Sequence, residues 1–395
     1  MIWPEVGLAE VANVFNGKTP SKAEQKEQGH PILKIKNVSD NRKFKGIFES
    51  FVDIDLAAKS ESKFIKLNDT LILNAAHNAD YVGSKQYRAE PEVINSLPTG
   101  EWLVVRSKAG KTDPIYLSFW LLLGLTRFKI RNLVKGIHLY PKDVARLKIP
   151  LPSLAEQQKI AAILDAADSL RQKDRQLIDH YTTLSQSLFL EMFGDPVTNP
   201  MGWEKDVLKN IGSVSTGNTP PRANPKFYGN HIEWIKTNNI NTPNMHLTLA
   251  EEYLSADGLN VGRSVEPNSL LVTCIAGSKH VIGNVAIVDR KVAFNQQINS
   301  FSPFSGNILY YYYLCILGKK HIQSFSTNSM KGMISKSKFE SIDFICPPIP
   351  LQDQFAERIK HIEAQKQQAQ VSVEKSEALF NSLLHRAFNG ELSKG

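Results

Sequence analysis

Two stretches of the sequence have the residue types of a phosphate cradle, Gly17-Lys18-Thr19 and Gly110-Lys111-Thr112. Such a loop also needs an earlier glycine, and Ala12 and Val105 stand in those places, so neither stretch reads as a nucleotide site. No Asn-Pro-Pro-aromatic or Asp-Pro-Pro-aromatic run of the kind used by amino-methyltransferases occurs. Thr219-Pro220-Pro221 and Cys346-Pro347-Pro348 lack the amide or carboxylate ahead of the prolines. The acid-x-Lys triplets Glu24-x-Lys26 and Glu61-x-Lys63 follow no Pro-Asp and read as solvated charges. The histidines are dispersed without HxxxH spacing, and Cys274, Cys315 and Cys346 form no CxxC pair. That excludes a cysteine zinc site and a disulfide framework.

What remains is chemistry that binds. Phosphates are met by Lys, Arg, hydroxyls and backbone amides, and base edges by Arg, Lys, Asn and Gln. The first half of the chain offers Lys18, Thr19, Lys34, Lys36, Asn37, Arg42, Lys43, Asn74 and Asn78 as candidate contacts of these kinds. The second half offers Asn218, Thr219 and Arg222 on a glycine–proline turn, then Lys236, Thr237, Asn238, Asn239, Lys279, Gln296 and Gln297. His77 and His280 lie beside two of these groups.

The charge distribution fits such a partner. Of 395 residues with formal net charge +8, residues 1–150 carry 23 Lys+Arg against 16 Asp+Glu. Residues 151–196 carry 4 against 7, residues 197–350 carry 14 against 10, and the remainder balances. Two positive blocks separated by an acidic one suit a polyanion with two footprints. The longest apolar runs are too short or too polar to span a bilayer, and the N-terminus has neither a basic nor an apolar leader region. A cytoplasmic protein is expected.

These residues must be positioned by a duplicated frame. Sliding the sequence by 200 aligns Trp3 with Trp203, Leu8 with Leu208, and Gly17, Thr19 and Pro20 with Gly217, Thr219 and Pro220. At 197, Leu154-Ala155-Glu156-Gln157 meets Leu351-Gln352-Asp353-Gln354; at 195, Leu184, Leu188 and Phe193 meet Leu379, Leu383 and Phe388. The unit is far longer than a solenoid repeat. Each copy opens with a mixed region: strands are predicted at Ile32–Val38, Thr70–Leu73, Leu270–Cys274 and Asn284–Val288, and buried helices at Ile115–Leu125 and Ile308–Leu317. Proline-rich junctions at 149–153 and 347–350 then start long helices, with Ser153 and Glu156 in capping-box spacing.

Each long helix has a narrow apolar seam. In the first, the expected seam is Ile160, Ile163, Ala167, Leu170, Leu177, Tyr181, Leu184 and Leu188. In the second it is Phe355, Ile359, Ile362, Ala369, Val373, Phe380 and Leu383. Neither helix contains proline or glycine beyond its first turn until Gly194 and Gly390 close them. Such stripes belong to a coiled coil, and two copies in one chain related by an approximate two-fold should pair antiparallel.

The chain resembles a specificity subunit of a type I restriction–modification system. The resemblance runs over nearly the full length. It rests on Trp203-Glu204, Gly217-x-Thr219-Pro220, Trp234-Ile235-Lys236-Thr237, the Ile149-Pro150-Leu151-Pro152-Ser153-Leu154-x-Glu156-Gln157 junction and Met192-Phe193-Gly194-Asp195-Pro196. Asn238 departs from the glycine common at that place. The resemblance implies an α+β chain of two tandem mixed target recognition domains, 1–150 and 197–348. Each is followed by a spacer helix region, 151–196 and 349–395, and the helices form an antiparallel coiled coil with pseudo-two-fold symmetry. It implies double-stranded DNA, two modification subunits and restriction subunits as partners. S-adenosylmethionine, ATP and magnesium would sit in those partners, and this chain would hold no cofactor or metal and catalyse nothing. Two alternatives from other classes are a stand-alone nuclease or methyltransferase with a nonlocal active site, and a coiled-coil assembly protein that touches no DNA.

Overall fold

The computed structural model describes residues 3–327 and 332–392. The chain divides into two compact units: one runs to Arg175 and resumes at Val371, and the other is Gln176–Gln370. Each contains one globular region and parts of both long helices.

In unit one, β1 (Ala12–Asn16), β2 (His30–Leu33), β3 (Thr70–Leu73), β4 (Gln86–Arg88) and β5 (Trp102–Ser107) are the main strands. An antiparallel sheet runs β1-β5-β3-β4. All four residues of β3 are buried, as expected of a short Leu/Ile run covered on both faces. β2 belongs to a second small sheet, where it pairs parallel with Leu97–Pro98. The strand stops at Leu33, short of the expected Val38, and Ile35–Asn37 wind into a 3-10 turn. Asn37 enforces the stop, because its Oδ1 accepts the Lys34 N–H at 2.8 Å.

Helix α1 (Pro114–Leu122) covers this sheet. Asp113 caps it by accepting the Ile115 and Tyr116 N–H groups at 2.9 Å, and Pro114 takes the first helical place, where its missing N–H costs nothing. The Tyr116 hydroxyl donates to Pro150 O at 2.8 Å, where the chain leaves the globular region for helix α2 (Leu154–Phe193).

Unit two repeats the plan. Its strands are β6 (Gly212–Thr216), β7 (Tyr228–Ile235), β8 (Ser269–Thr273), β9 (Val285–Val288) and β10 (Ile298–Pro303), with sheet order β6-β10-β8-β9. Helix α3 (Ile308–Leu317) replaces α1, and its Tyr310 hydroxyl donates to Ile345 O at 2.7 Å ahead of helix α4 (Ile349–Phe388). Gln157 Oε1 accepts the Asp113 N–H (2.9 Å) while its Nε2 donates to Pro152 O (2.9 Å). Gln352 does the same for Asn307 N–H (3.0 Å) and Pro347 O (2.8 Å). Gln157 therefore corresponds to Gln352, not to Gln354 as the sequence alignment has it.

Both α2 and α4 run 40 residues, about 60 Å at 1.5 Å per residue. Gly194 and Gly390 follow them with φ of 76° and 75°, the left-handed conformation that ends helices. In unit one the helices pack antiparallel: Arg171 meets Glu377 and Phe380, while Arg175, one turn further along α2, meets Glu377. In unit two Phe189 and Phe193 of α2 set their rings edge-on to Phe355 of α4, at 5.5 and 5.4 Å.

The seam of α4 lies close to its expected row: Phe355, Ile359, Ala369, Val373 and Phe380 are buried, and Ile362 and Leu383 are half-buried. On α2 the seam needs correcting. Ile160 and Ala167 are buried and Tyr181 and Leu188 half-buried, but Ile163, Leu170, Leu177 and Leu184 are 41, 47, 40 and 50 % exposed. The buried row is rotated by about one residue and runs through Gln157, Leu164, Arg171, Ser185 and Phe189. Apolarity misleads here because two polar residues with partners, Gln157 and Arg171, occupy the seam. Arg171 is 5 % exposed, hydrogen-bonds Asp168 (2.5 Å) and Glu377 (3.2 Å), and lies 3.9 Å from the centre of the Phe380 ring. Among the described residues no helix is long and apolar enough to cross a membrane.

Candidate nucleic-acid interface

At the end of β1 the chain turns through Gly17-Lys18-Thr19-Pro20. A Cβ on Gly17 would sit 2.2 Å from the carbonyl oxygens of Pro98 and Thr99, so only glycine allows this approach. Gly217 is pressed in the same way against Asn295 O. The turns are pinned by Lys18 N–H to Pro98 O (2.8 Å) and Asn218 N–H to Phe294 O (3.1 Å). Thr19 accepts the Gly100 N–H at 2.8 Å, and Thr219 hydrogen-bonds Gln296.

The β2 and β7 ends join the same place, since Thr99 N–H reaches Leu33 O (3.1 Å) and Asn295 N–H reaches Ile235 O (3.0 Å). So do the segments after β3 and β8, through Asn74 to Gly100 O (3.0 Å) and Cys274 N–H to Gln297 O (2.8 Å). Each unit thus gathers four loops into one cluster: 17–20, 33–37, 74–78 and 98–101 in unit one, and 217–222, 235–239, 274–280 and 294–297 in unit two.

Within the clusters the candidates separate by accessibility. Lys18, Thr19, Lys36, Asn78, Arg222, Asn238, Lys279 and Gln296 are exposed or nearly so. Lys34, Thr237 and Gln297 are half-buried; Lys34 Nζ holds Gln25 Oε1 at 2.6 Å, and the Gln297 N–H donates to Asn295 Oδ1 at 3.1 Å. Lys36 pairs with Glu49, Lys43 with Glu90, and Asn78 accepts the Asp80 N–H at 3.0 Å.

Three candidate contacts are corrected. Asn37, Asn74 and Asn239 are only 2–3 % exposed, and all serve the frame. Asn37 and Asn239 accept the Lys34 and Lys236 N–H groups and donate to Ile47 O (3.0 Å) and Leu249 O (2.8 Å). Asn74 donates to Asn16 Oδ1 (2.9 Å) and Gly100 O. Burial and these bonds commit the three side chains to holding the loops rather than to a surface that a base could reach. Arg42 lies outside the cluster, in a cleft lined by residues of α2.

The two clusters share a backbone but not a surface. In unit two Arg222 bonds Glu252 at 2.7 Å and lies over Tyr228 (4.6 Å) and Trp234 (5.0 Å). Lys236 joins the same carboxylate and lies 5.2 Å from the Trp234 ring. Those hydrogen bonds, Arg222 first and Lys236 second, hold the Glu252 carboxyl below the usual carboxylate range. In unit one the turn carries Lys18 and Lys22 instead, and Ile32 takes the strand place that Trp234 has in unit two. Glu252 was missed by sequence reasoning because it lies on another segment, just ahead of the short strand Tyr253–Leu254, with no local spacing to mark it. The Tyr228–Trp234 shelf did leave a signal, aromatic residues interleaved with basic ones. Among the described residues no group of three or more His, Cys, Asp or Glu side chains could hold a metal.

A family model described as "Type I restriction modification DNA specificity domain" matches residues 2–179 and 200–374. The chain is 23 % identical to a putative type I restriction enzyme MjaX specificity subunit from Methanocaldococcus jannaschii, over 91 % of this chain and 87 % of that protein. It is 22 % identical to the type I restriction enzyme StySPI specificity subunit of Salmonella potsdam, over 99 % and 89 %. A match at 26 % to the HindI specificity subunit of Haemophilus influenzae spans 49 % of this chain and less than half, 42 %, of that protein. In fold it is similar to the crystal structure of a type I restriction-modification S subunit from M. genitalium, with a TM-score of 0.58 at 12 % identity, covering 98 % and 96 % of the two chains. A chain from a study of type I R-M complex assembly gives 0.55 at 16 % identity, covering 98 % of both.

Proposed function

This chain belongs to the type I restriction modification DNA specificity domain family, and from that premise we propose that it reads a two-part, asymmetric sequence in double-stranded DNA as the specificity subunit of a type I restriction–modification complex. The observation that carries this reading is the repeated loop cluster, one backbone bearing two unlike side-chain sets. A shared frame gives both units the same approach to a duplex, and unlike loops give them different half-sites. On this reading residues 1–150 and 197–348 are the recognition domains, each reading about 3–5 base pairs, and 151–196 and 349–395 are spacers. Lys18 and Lys36 in unit one and Arg222, Lys236, Asn238 and Lys279 in unit two are the contacts.

Methylation and ATP-driven cleavage, with their S-adenosylmethionine, ATP and magnesium, belong to partner subunits in the cytoplasm, two modification subunits per chain. The exposed row Ile163, Leu170, Leu177 and Leu184 supports a docking role for α2. Heptad-spaced apolar residues left in solvent are what a partner helix covers.

Reconstitution with modification subunits, followed by mapping of methylated adenines, tests the reading. The expected pattern is a split site with unlike halves. Methylation or cleavage by the pure chain alone, supplied with S-adenosylmethionine and magnesium, would overturn it. DNA affinity should fall steeply with salt, and an affinity indifferent to salt would leave no room for phosphate contacts.

A further inference from the structure

Arg42 has a left-handed backbone (φ 60°) on the loop that follows Ile35–Asn37, and its side chain lines a cleft in unit one. Arg88, Arg171 and Arg175 line the same cleft, and Arg127 lines its continuation. Arg88 is paired with Asp165 (2.6 Å), and Arg171 with Asp168 and Glu377; Arg175 shares Glu377. The Arg42 guanidinium makes no hydrogen bond or ion pair with any described residue. Asp168 is the one carboxylate that favours its charge, and Arg171 and Gln172 already engage that group, the latter at 2.7 Å. Burial, and then the neighbouring Arg171, disfavour the Arg42 cation. Lys43, paired with Glu90, and Lys85, 3.3 Å from Asp40, line the cleft too, so seven cationic side chains face five carboxylates.

The cleft also holds buried polar atoms with nothing to bond. Gln86 is 2 % exposed; its Nε2 donates to Leu121 O (3.1 Å), but its Oε1 has no partner. Arg88 Nη1 and Thr70 Oγ1 are likewise buried and unpartnered. Folding alone does not require these groups, as the other unit demonstrates. The β3–β4 register sets Thr70 opposite Arg88 and Ile72 opposite Gln86, while the β8–β9 register sets Leu270 opposite Ile287 and Val272 opposite Val285. Where unit one has Thr70, Gln86 and Arg88, unit two has Leu270, Val285 and Ile287. On the helices, with Gln157 matched to Gln352, Lys366 and Gln370 replace Arg171 and Arg175. Leaving polar atoms orphaned in one copy, when the other copy fills the same positions with aliphatics, is costly unless something binds them.

We propose that this cleft binds a phosphoryl group, with Arg42 as the free cationic donor and Arg88 and Arg171 fixing its position. A guanidinium fork matches two phosphate oxygens, and neighbouring arginines supply the surplus positive charge. Gln86 Oε1, an acceptor, takes a hydrogen bond from water accompanying the group. The phosphoryl group comes either from the backbone of DNA or from a small phosphate-bearing molecule.

Two titrations separate these sources. In the first, inorganic phosphate is added to the full chain at constant ionic strength, and heat of binding and Tm are followed. In the second, DNA binding is measured across a salt series. Each is run on the natural chain, on Arg42→Gln, and on Lys129→Gln, which removes one positive charge from an exposed site outside the cleft. Because Arg42 has no partner, Arg42→Gln should fold and, without phosphate, melt no lower than the natural chain. If the ligand is a small phosphate, Arg42→Gln weakens phosphate binding by about tenfold or more and leaves DNA affinity alone. If it is a backbone phosphate, Arg42→Gln weakens binding to all DNA sequences alike and lowers the salt slope by about 1. In either case Lys129→Gln behaves as the natural chain. If Arg42→Gln is indistinguishable from the natural chain in both titrations, the proposal is overturned. The mapped methylation site is a separate readout, so failure here and failure of the specificity-subunit reading are distinguishable.

Discussion

Arg222 and Glu252 lie on different segments of unit two, yet their side chains meet at 2.7 Å, with the Arg222 guanidinium stacked on Tyr228 and Trp234. The fork is therefore oriented before any ligand arrives, which lowers the ordering cost of using it to read a base. Replacing Arg222 with Ala should relax specificity at one position of the half-site read by unit two, by about 1–3 kcal/mol of discrimination, and leave the other half-site unchanged. Competition binding with single-base variants of both half-sites checks this. Equal losses across both halves would place Arg222 on the phosphate backbone instead.

The same pair sets a pH expectation. Glu252 is held below the usual carboxylate range by Arg222 and then Lys236, so it is ionised throughout the neutral range. A carboxylate with a depressed pKa contributes stability above its unfolded value, and that contribution disappears as pH falls through the folded value. Melting curves of the natural chain and Glu252→Gln should differ by a constant amount between about pH 6 and pH 8. They should converge only in acid, below the ordinary carboxylate range. Convergence on raising the pH would contradict the assignment.

Gln157 ties the start of α2 to the cap of α1. Gln157→Leu strands the Asp113 N–H and the Pro152 carbonyl in a buried place, at about 1–3 kcal/mol for each group left unpaired. Gln352→Leu should cost unit two a similar amount. Gln354→Leu, at an exposed position of α4, should change stability by no more than about 0.5 kcal/mol. Urea unfolding of the three variants tests whether Gln352 or Gln354 is the true counterpart of Gln157.

The exposed row on α2 makes a prediction that separates folding from assembly. Leu170→Lys and Leu177→Lys place charge where side chains are already 47 and 40 % exposed, so each should alter stability by no more than about 0.5 kcal/mol. Both should weaken co-purification with modification subunits. If assembly survives the double variant, another face of the helices docks the partner.

The frame was legible because it recurs. Gly17 and Gly217 mark the same forced approach, the apolar runs from Ile115 and Ile308 form the buried helices α1 and α3, and the two glycine-ended helices lie where the proline-marked starts put them. The side-chain roles were less legible for a physical reason: residue type does not tell whether a polar group faces solvent or the backbone. Asn37, Asn74 and Asn239 have the right chemistry for a base but spend it on loop carbonyls and amides. The α2 seam failed for the opposite reason, since Arg171 is buried among ion pairs and over Phe380 while four aliphatic residues stay in water. Nor could spacing reveal Glu252, which becomes the neighbour of Arg222 only through the fold.

The last prediction concerns the distance between half-sites. Both α2 and α4 pass without interruption from one compact unit into the other, at Arg175 and at Gln370. On the proposed reading they should therefore act as the ruler while the loop clusters act as readers. One inserted residue adds ~1.5 Å but rotates the remainder of the helix by about 100°, which would turn Phe189 off the face that carries Leu164. Seven residues keep the seam facing its partner and add ~10 Å, close to three base pairs at ~3.4 Å each. Because the helices run antiparallel, both must grow together, by seven residues beside Asp174 and seven beside Ala369. The lengthened chain, assembled with modification subunits, should methylate the same two half-sites across a gap about three base pairs wider. Altered bases in either half with the gap unchanged would mean that the helices do not set the spacing. Loss of all methylation by a folded, assembled complex would mean that the partners measure the gap as well.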